Sequence, residues 1–319
     1  MNDAHGIVTI DTGFHRPYFD AAYLIVEHGR VAYVDCGTQH SLPAMLDALS
    51  WQGLRPEDVD WLILTHVHLD HAGGAGALMR ALPNARLAVH PRGAPHMIDP
   101  ERLVAGATAV YGEAEMARSY GEIVPVDAAR VRELHDGDTV DLAGRPLLCI
   151  DTPGHARHHV CVWDERSRSW FTGDTFGLSY REFDNARGEP FVIPTTSPVQ
   201  FEPEPLKASI RAMLSRDPVA MHLTHYGRVG DVARLAHDLI AQIDAMVALA
   251  HAAHGHADRH ERLVQSLTHL YVERATAHGA PLTAQEAAEL LAMDIELNAQ
   301  GLEIWLARET APRRPVQVR

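Results

Sequence analysis

In the stretch 62–76, LILTHVHLDHAGGAG, four side chains able to ligate a metal, His66, His68, Asp70 and His71, fall within six residues. Imidazoles two apart on a nearly extended loop can point the same way, while Asp70 and His71 can reach round to a second position, so one loop can serve two ions. Neutral imidazole with carboxylate suits zinc, iron or manganese, and the lack of cysteine here argues against a closed thiolate zinc site. The chain has 22 histidines, but scattered histidines do not usually arrive as H-x-H-x-D-H directly behind an apolar strand.

The elements that must position these groups are legible around them. Residues 62–64 read as the end of a buried strand, Gly73, Gly74 and Gly76 permit a sharp turn, and 77–82 starts a helix. Upstream, 22–27 and 30–35 are β-rich runs joined by His28-Gly29, a hairpin pattern ending in Asp35-Cys36-Gly37. Residues 41–49 look helical with Pro43 in the first turn, and 51–59 is a loop. Downstream, 86–90 is a short strand, 91–117 is mostly helical or irregular, and 131–150, with the turns HDGD and AGR, reads as antiparallel β. Three later strand ends look functional. Pro153 and Gly154 make a tight turn that exposes His155; a hairpin over 160–174 ends at Asp174 behind Gly173; and MHLTHYG places His225 after an apolar run.

H-x-H-x-D-H, T-P-G-H, F-T-G-D and a final strand-end histidine, in that order, resemble the metallo-β-lactamase-fold superfamily over roughly residues 5–230. The resemblance implies an α+β fold, a four-layer αβ/βα sandwich of two mostly antiparallel sheets with helices outside and metals at one edge. It divides the chain into a metallo-β-lactamase-fold domain, 1–228, and a C-terminal helical extension, 229–319. It also implies a ligand set: His66, His68 and His155 on a first divalent ion, Asp70, His71 and His225 on a second, and Asp174 bridging them. Zinc is the first expectation for both ions, with iron or manganese compatible. A hydroxide between the ions would be the nucleophile. Asp70 would double as the catalytic residue that orients this water or hands a proton to the leaving group, and Asp35 would support the metal loop from behind.

The expected function is a dinuclear metal-dependent hydrolase acting on a small ester, thioester, lactone or phosphodiester. Two alternatives stand beside it: a di-iron or mono-iron redox or sensor member of the same superfamily, and a ligand-binding module without catalysis. Flavodiiron relatives typically carry glutamate where this chain keeps His68, and no flavin-binding domain follows, which favours hydrolysis. The motif style is that of the glyoxalase II-like branch. Glutathione-recognising relatives depend on basic residues near the C-terminal part of the fold, lysines among them, and this chain has one lysine, Lys207.

Composition narrows the partners. With 28 basic and 42 acidic residues the formal charge is −14, the opposite of a nucleic-acid binder. The start of the chain has neither a basic nor an apolar leader segment and no later run approaches ~20 apolar residues, so a cytoplasmic protein with no membrane element is expected. The expected partner is a small-molecule substrate, and a homodimer through the C-terminal helices is envisaged. Cys36, Cys149 and Cys161 read as reduced core residues. The irregular stretch 177–201 offers Tyr180, Arg181, Arg187 and Thr196 as substrate contacts, and Tyr226 is a candidate oxyanion donor. His158 and His159 read as packing or supporting groups, and His90 and His96 as structural or surface residues. The tract His251, His254, His256 and His260 has spacing that can hold a metal but no fixed partner. From 229 onward three helices are suggested, 229–254, 258–276 and 283–308, the last opened by a Thr283-to-Glu286 capping box, forming a lid over the cleft or a dimer surface. The tail 311–319 is expected to be loosely ordered.

Overall fold

The computed structural model describes residues 5–310 other than Pro198, so the tail 311–319 lies outside the described residues. In the first half, β1 (Ile7–Asp11), β2 (Ala21–Glu27) and β3 (Arg30–Val34) are followed by α1 (Leu42–Trp51) and β4 (Val59–Ile63). Then come α2 (Leu69–Ala72), α3 (Ala75–Ala81), β5 (Arg86–Val89), α4 (Ala94–Ile98), α5 (Glu101–Tyr111), α6 (Glu113–Glu115) and β6 (Val131–Glu133). These strands form one six-stranded sheet in the order β1-β2-β3-β4-β5-β6. The second half contributes β7 (Thr139–Leu142), β8 (Arg145–Asp151), β9 (Val160–Asp164), β10 (Ser169–Gly173), α7 (Pro203–Leu214), β11 (Ala220–Leu223) and β12 (Gly227–Val229). α8 (Val232–Ala253), α9 (Arg259–His278), α10 (Ala284–Leu290) and α11 (Ala292–Thr310) complete it. Its strands form a second sheet, β12-β11-β10-β9-β8-β7.

Strands with two apolar faces explain the layering. In β2, Ala21, Tyr23 and Ile25 face the other sheet, while Ala22 and Leu24 face α1 and α3; β3 and β4 alternate in the same way. In β9, Val160 and Val162 point inward, and Cys161 and Trp163 point at the C-terminal helices. Side chains two apart on a strand share a face, so each sheet has a sheet-facing core and a helix-facing core. The result is the expected α+β sandwich of four layers.

The pairing differs from two mostly antiparallel sheets. In the first sheet β1, β2 and β3 are antiparallel, but β3, β4, β5 and β6 run parallel, because α1, α2 to α3 and α4 to α6 are the crossovers that parallel neighbours require. The run 131–150 also divides. β6 closes the first sheet, HDGD carries the chain across, and only β7 and β8 form an antiparallel pair. Period-two patterning makes a strand but does not name its partner.

Among the described residues four helices, rather than three, follow β12, because α10 and α11 break at Leu291. The Thr283 to Glu286 capping box is formed in both directions. Leu291, Ile295, Leu302, Trp305 and Leu306 of this last pair are buried in the core that also holds Trp163 and Trp170. All three cysteines are free and buried. Among the described residues no helix is long and apolar enough to cross a membrane.

Candidate metal centre

The chain leaves β4 at Ile63 and remains extended through His68, whose φ of −66° and ψ of 150° cap α2. Asp70 and His71 therefore sit in the first helical turn rather than on a free loop, with the His71 ring 4.0 Å from that of His66. The three later residues arrive from the second sheet. His155 follows β8, Asp174 follows β10, and His225 lies between β11 and β12.

Two groups of donor atoms result. His66 Nε2 and His155 Nε2 lie 2.8 and 3.1 Å from His68 Nδ1, and Asp174 Oδ2 lies 3.3 Å from His155 Nε2. In the second group, Asp70 Oδ2 is 3.3 Å from His71 Nε2 and 3.6 Å from His225 Nε2. Asp174 Oδ1 is 3.2 and 3.4 Å from the same two nitrogens. One carboxylate thus turns one oxygen to each group, and the structure brings all seven expected residues together. Within each of the groups His66, His68, His155, Asp174 and Asp70, His71, His225, the candidate ligand atoms lie within 4.8 Å of one another.

The outward nitrogens are held as a metal site requires. His71 Nδ1 is 3.0 Å from Asp35 Oδ2, His225 Nδ1 is 2.5 Å from Asp20 Oδ1, His66 Nδ1 is 3.2 Å from Thr65 Oγ1, and His155 Nδ1 is 3.4 Å from Thr195 O. Such contacts fix ring orientation and leave the inner nitrogen lone pair free to ligate. His71 Nε2 and Asp174 Oδ1 are buried without a hydrogen-bond partner in the protein. Buried polar atoms are normally satisfied, so the arrangement fits a cation held by the second group.

The protonation states point the same way. Burial drives His66, His68 and His155 below the usual histidine range, with His71 beside His66 and His155 beside His68 adding to it. Neutral imidazole is the ligating form. For His71 burial acts downward too, but Asp70 and Asp174 outweigh it; for His225 the opposing charges are Asp20 and Asp174. Both rings are thereby held well above the usual histidine range by the carboxylates around them. Burial raises the Asp20 carboxyl to about 6 against the pull of His225.

Supporting residues give the site its rigidity. His159 is buried, its Nδ1 2.9 Å from Thr152 Oγ1, and its Nε2 accepts the Asp174 backbone N–H at 3.2 Å. Gly173 is required there. At φ +45° an added Cβ would lie 2.6 Å from both His159 Nε2 and Thr65 Oγ1. Gly154, at φ +134°, presses against α7, where a Cβ would stand 2.3 Å from the Leu206 backbone. Asp35 is bonded to Thr65 and His71, the supporting place expected for it.

Other sequence candidates find different partners. Tyr180 is buried with its hydroxyl 3.3 Å from both Asp294 oxygens. Arg181 bonds to Ser179, exposed Arg187 pairs with Glu189, and Thr196 takes a 2.7 Å bond to Asn298 through its N–H. The 177–201 stretch is therefore a layer between the site and α11, with Thr195 and Ser197 as its contacts to His155. Tyr226 packs edge-on against Tyr18. His90 pairs with Asp151, and His260 lies between Glu296 and Glu303. Asp20, Thr65 and the Thr195 carbonyl escape sequence reasoning, since a lone aspartate in RPYFD has no spacing signal.

The family model described as Metallo-beta-lactamase superfamily matches residues 15–225. The metallo-beta-lactamase fold-containing protein ST1585 of Sulfurisphaera tokodaii is 28% identical over 205 residues, 62% of this chain and 72% of that protein. Its crystal structure superposes with a TM-score of 0.66 at 23% identity, covering 97% of this chain and 100% of that one. A hydroxyacylglutathione hydrolase of Klebsiella pneumoniae is 28% identical over 162 residues, 50% of this chain and 49% of that protein, so the chain spans about half of that relative. A structure of a peroxy di-iron species of the chemotaxis sensor ODP has a TM-score of 0.53 at 18% identity, covering 75% of this chain and 92% of that one.

Proposed function

The chain belongs to the Metallo-beta-lactamase superfamily, and we propose that within it the protein is a dinuclear metal-dependent hydrolase of a small ester, thioester, lactone or phosphodiester. The observation that carries this reading is Asp174, whose two oxygens are divided between the two donor groups. Two divalent ions held there would polarise a carbonyl or phosphoryl oxygen and lower the pKa of water toward neutrality.

The chain's own residues then have separable tasks. His66, His68 and His155 would hold one ion and Asp70, His71 and His225 the other, with Asp35 and Asp20 keeping the rings of His71 and His225 turned inward. Asp70 is partly exposed, whereas His71 and Asp174 are buried, so its carboxylate would take the proton released by the attacking water and pass it to a leaving group in the cleft. α11 closes one side by holding the 194–196 segment through Asn298, which bonds Thr196 N and Pro194 O at 2.7 and 3.0 Å. That supports the lid role for the C-terminal helices.

The test is metal quantification on protein purified without added metal, followed by a hydrolysis panel on the same sample. The expected result is two ions per chain, activity lost on chelation and regained with zinc or manganese, and Asp174→Ala reduced to one ion or none. Metal-loaded protein that is inert on all four substrate classes, yet consumes oxygen with ferrous iron bound, would replace this reading with the redox one, for which the peroxy di-iron species of the ODP sensor is the precedent in a similar fold.

A further inference from the structure

Beside the first histidine group lies a second feature, a cavity of ≈ 410 Å³ lined by Arg92, His96, Arg157, His158, Gln200 and Glu202. His158 forms its inner wall. The ring is buried, and its centroid stands 5.5 Å from that of His68 and 6.1 Å from that of His66, so one imidazole separates the cavity from the donor nitrogens. Its Nδ1 accepts a long bond, 3.5 Å, from the Val67 N–H. This leaves the ring proton on Nε2.

The outer wall is rich in donors. Gln200 Oε1 accepts the Arg157 N–H at 2.7 Å, which turns its amide NH₂ outward as a further donor. Arg157 pairs with Glu202 at 3.0 Å, and Glu202 is the one carboxylate in the lining. Arg92 donates at 3.4 Å to the Arg157 carbonyl and, among the described residues, enters no ion pair with a carboxylate. Two guanidinium groups facing one carboxylate leave a local positive charge in a chain whose formal charge is −14. Against that background a concave cationic wall concentrates small anions, and forked guanidinium groups suit carboxylate and phosphate geometry.

We propose that this cavity is the subsite for a carboxylate or phosphate group carried by the substrate, which makes the substrate a small anion anchored on the His68 side of the centre. The inference rests on the hydrolytic reading only for what happens at the neighbouring centre. The anion subsite itself is testable without turnover.

The experiment follows the imidazole resonances of the purified, full-length protein by NMR during titration with succinate, inorganic phosphate and uncharged 1,4-butanediol, with His96→Gln and His158→Gln identifying the signals. Succinate or phosphate should shift the His96 and His158 signals and butanediol should not. Arg92→Ala with Arg157→Ala should weaken that binding by at least about tenfold, and the paired Arg→Lys variant, which keeps the charge, should retain part of it. With esters, the alanine pair should raise KM for a carboxylate-bearing substrate by a similar factor and for an uncharged isostere by much less. Anion binding of equal strength in wild type and the alanine pair, or no shift at His96 and His158 in wild type, overturns the subsite whether or not any ester is cleaved. Arginine-dependent binding in a metal-loaded protein that cleaves none of the four substrate classes supports the subsite and counts against the hydrolytic reading instead.

Discussion

Asp35→Asn separates the part that orients the second donor group from the part that binds. In the native protein Asp35 Oδ1 accepts the Thr65 N–H at 2.8 Å. Oδ2 accepts the Thr65 hydroxyl at 2.8 Å and the Thr224 hydroxyl at 3.3 Å, and lies 3.0 Å from His71 Nδ1. An asparagine amide cannot serve both ends. With its NH₂ toward Thr65 N, two buried donors face each other, at a cost of about 1–3 kcal/mol in folding stability. With its NH₂ toward His71, Nδ1 must become the acceptor, the ring proton moves to Nε2, and the nitrogen aimed at Asp70 and Asp174 no longer ligates. Loss of such an orienting partner lowers metal affinity roughly 10- to 100-fold, or about 1.4 to 2.7 kcal/mol. Competition with a chelator of known zinc affinity, alongside melts of the chelated protein, reads both quantities. One ion should be held nearly as in wild type, because the contacts of His155 with Thr195 and of Asp174 with His159 do not involve Asp35, and the other weakened. Two ions held as tightly as in wild type, with unchanged melting of the chelated form, would refute this account of Asp35.

Two further outcomes follow from α11. Asp294 is buried, and burial raises its carboxyl to about 7 in spite of His225, so the folded chain keeps a proton that the unfolded chain releases near 3.8. Between those values the folded state binds more protons, and stability falls as pH rises through the window. Asp294→Asn should therefore melt above wild type at pH 8, with the gap narrowing steadily as pH falls from about 7 toward 3.8; a gap independent of pH would contradict the assignment. Ending the chain before Thr283 removes Leu291, Ile295, Leu302, Trp305 and Leu306 from a shared core and Asn298 from the 194–196 segment. Aggregation or loss of oligomers is expected by light scattering, and a soluble, monodisperse and equally active product would show these helices to be dispensable.

The centre was legible in the sequence because its chemistry is local four times over. Each ligand run sits at a strand end, marked by its own glycine or histidine spacing. Asp35 could be placed by analogy, as the carboxylate ending an early strand. Asp20 could not, since its tie to His225 spans the chain from one sheet to the other and leaves no periodic trace. The same limit explains 177–201. Tyr180 and Thr196 look like substrate contacts when their neighbours in sequence are considered, but their partners, Asp294 and Asn298, lie about a hundred residues away. β6 was assigned to the wrong neighbours for a related reason: alternation reports that a segment has two faces, whereas Leu87, Ala88 and Val89, which pair with it, are defined only by the crossover between them.

The donors of each group are divided between the halves of the chain. His66 and His68 come from the first half and His155 from the second; Asp70 and His71 come from the first and His225 from the second. Neither half alone can assemble a three-donor group. An ion seated at either position would act as a staple across the two sheets, and its free energy of binding would be added to the docking of one half upon the other. Metal loading would then report that folding is complete. A chain with its sheets undocked would offer only weak two-donor sites, so in a mixture of partly folded molecules the ion would collect on those that have already closed.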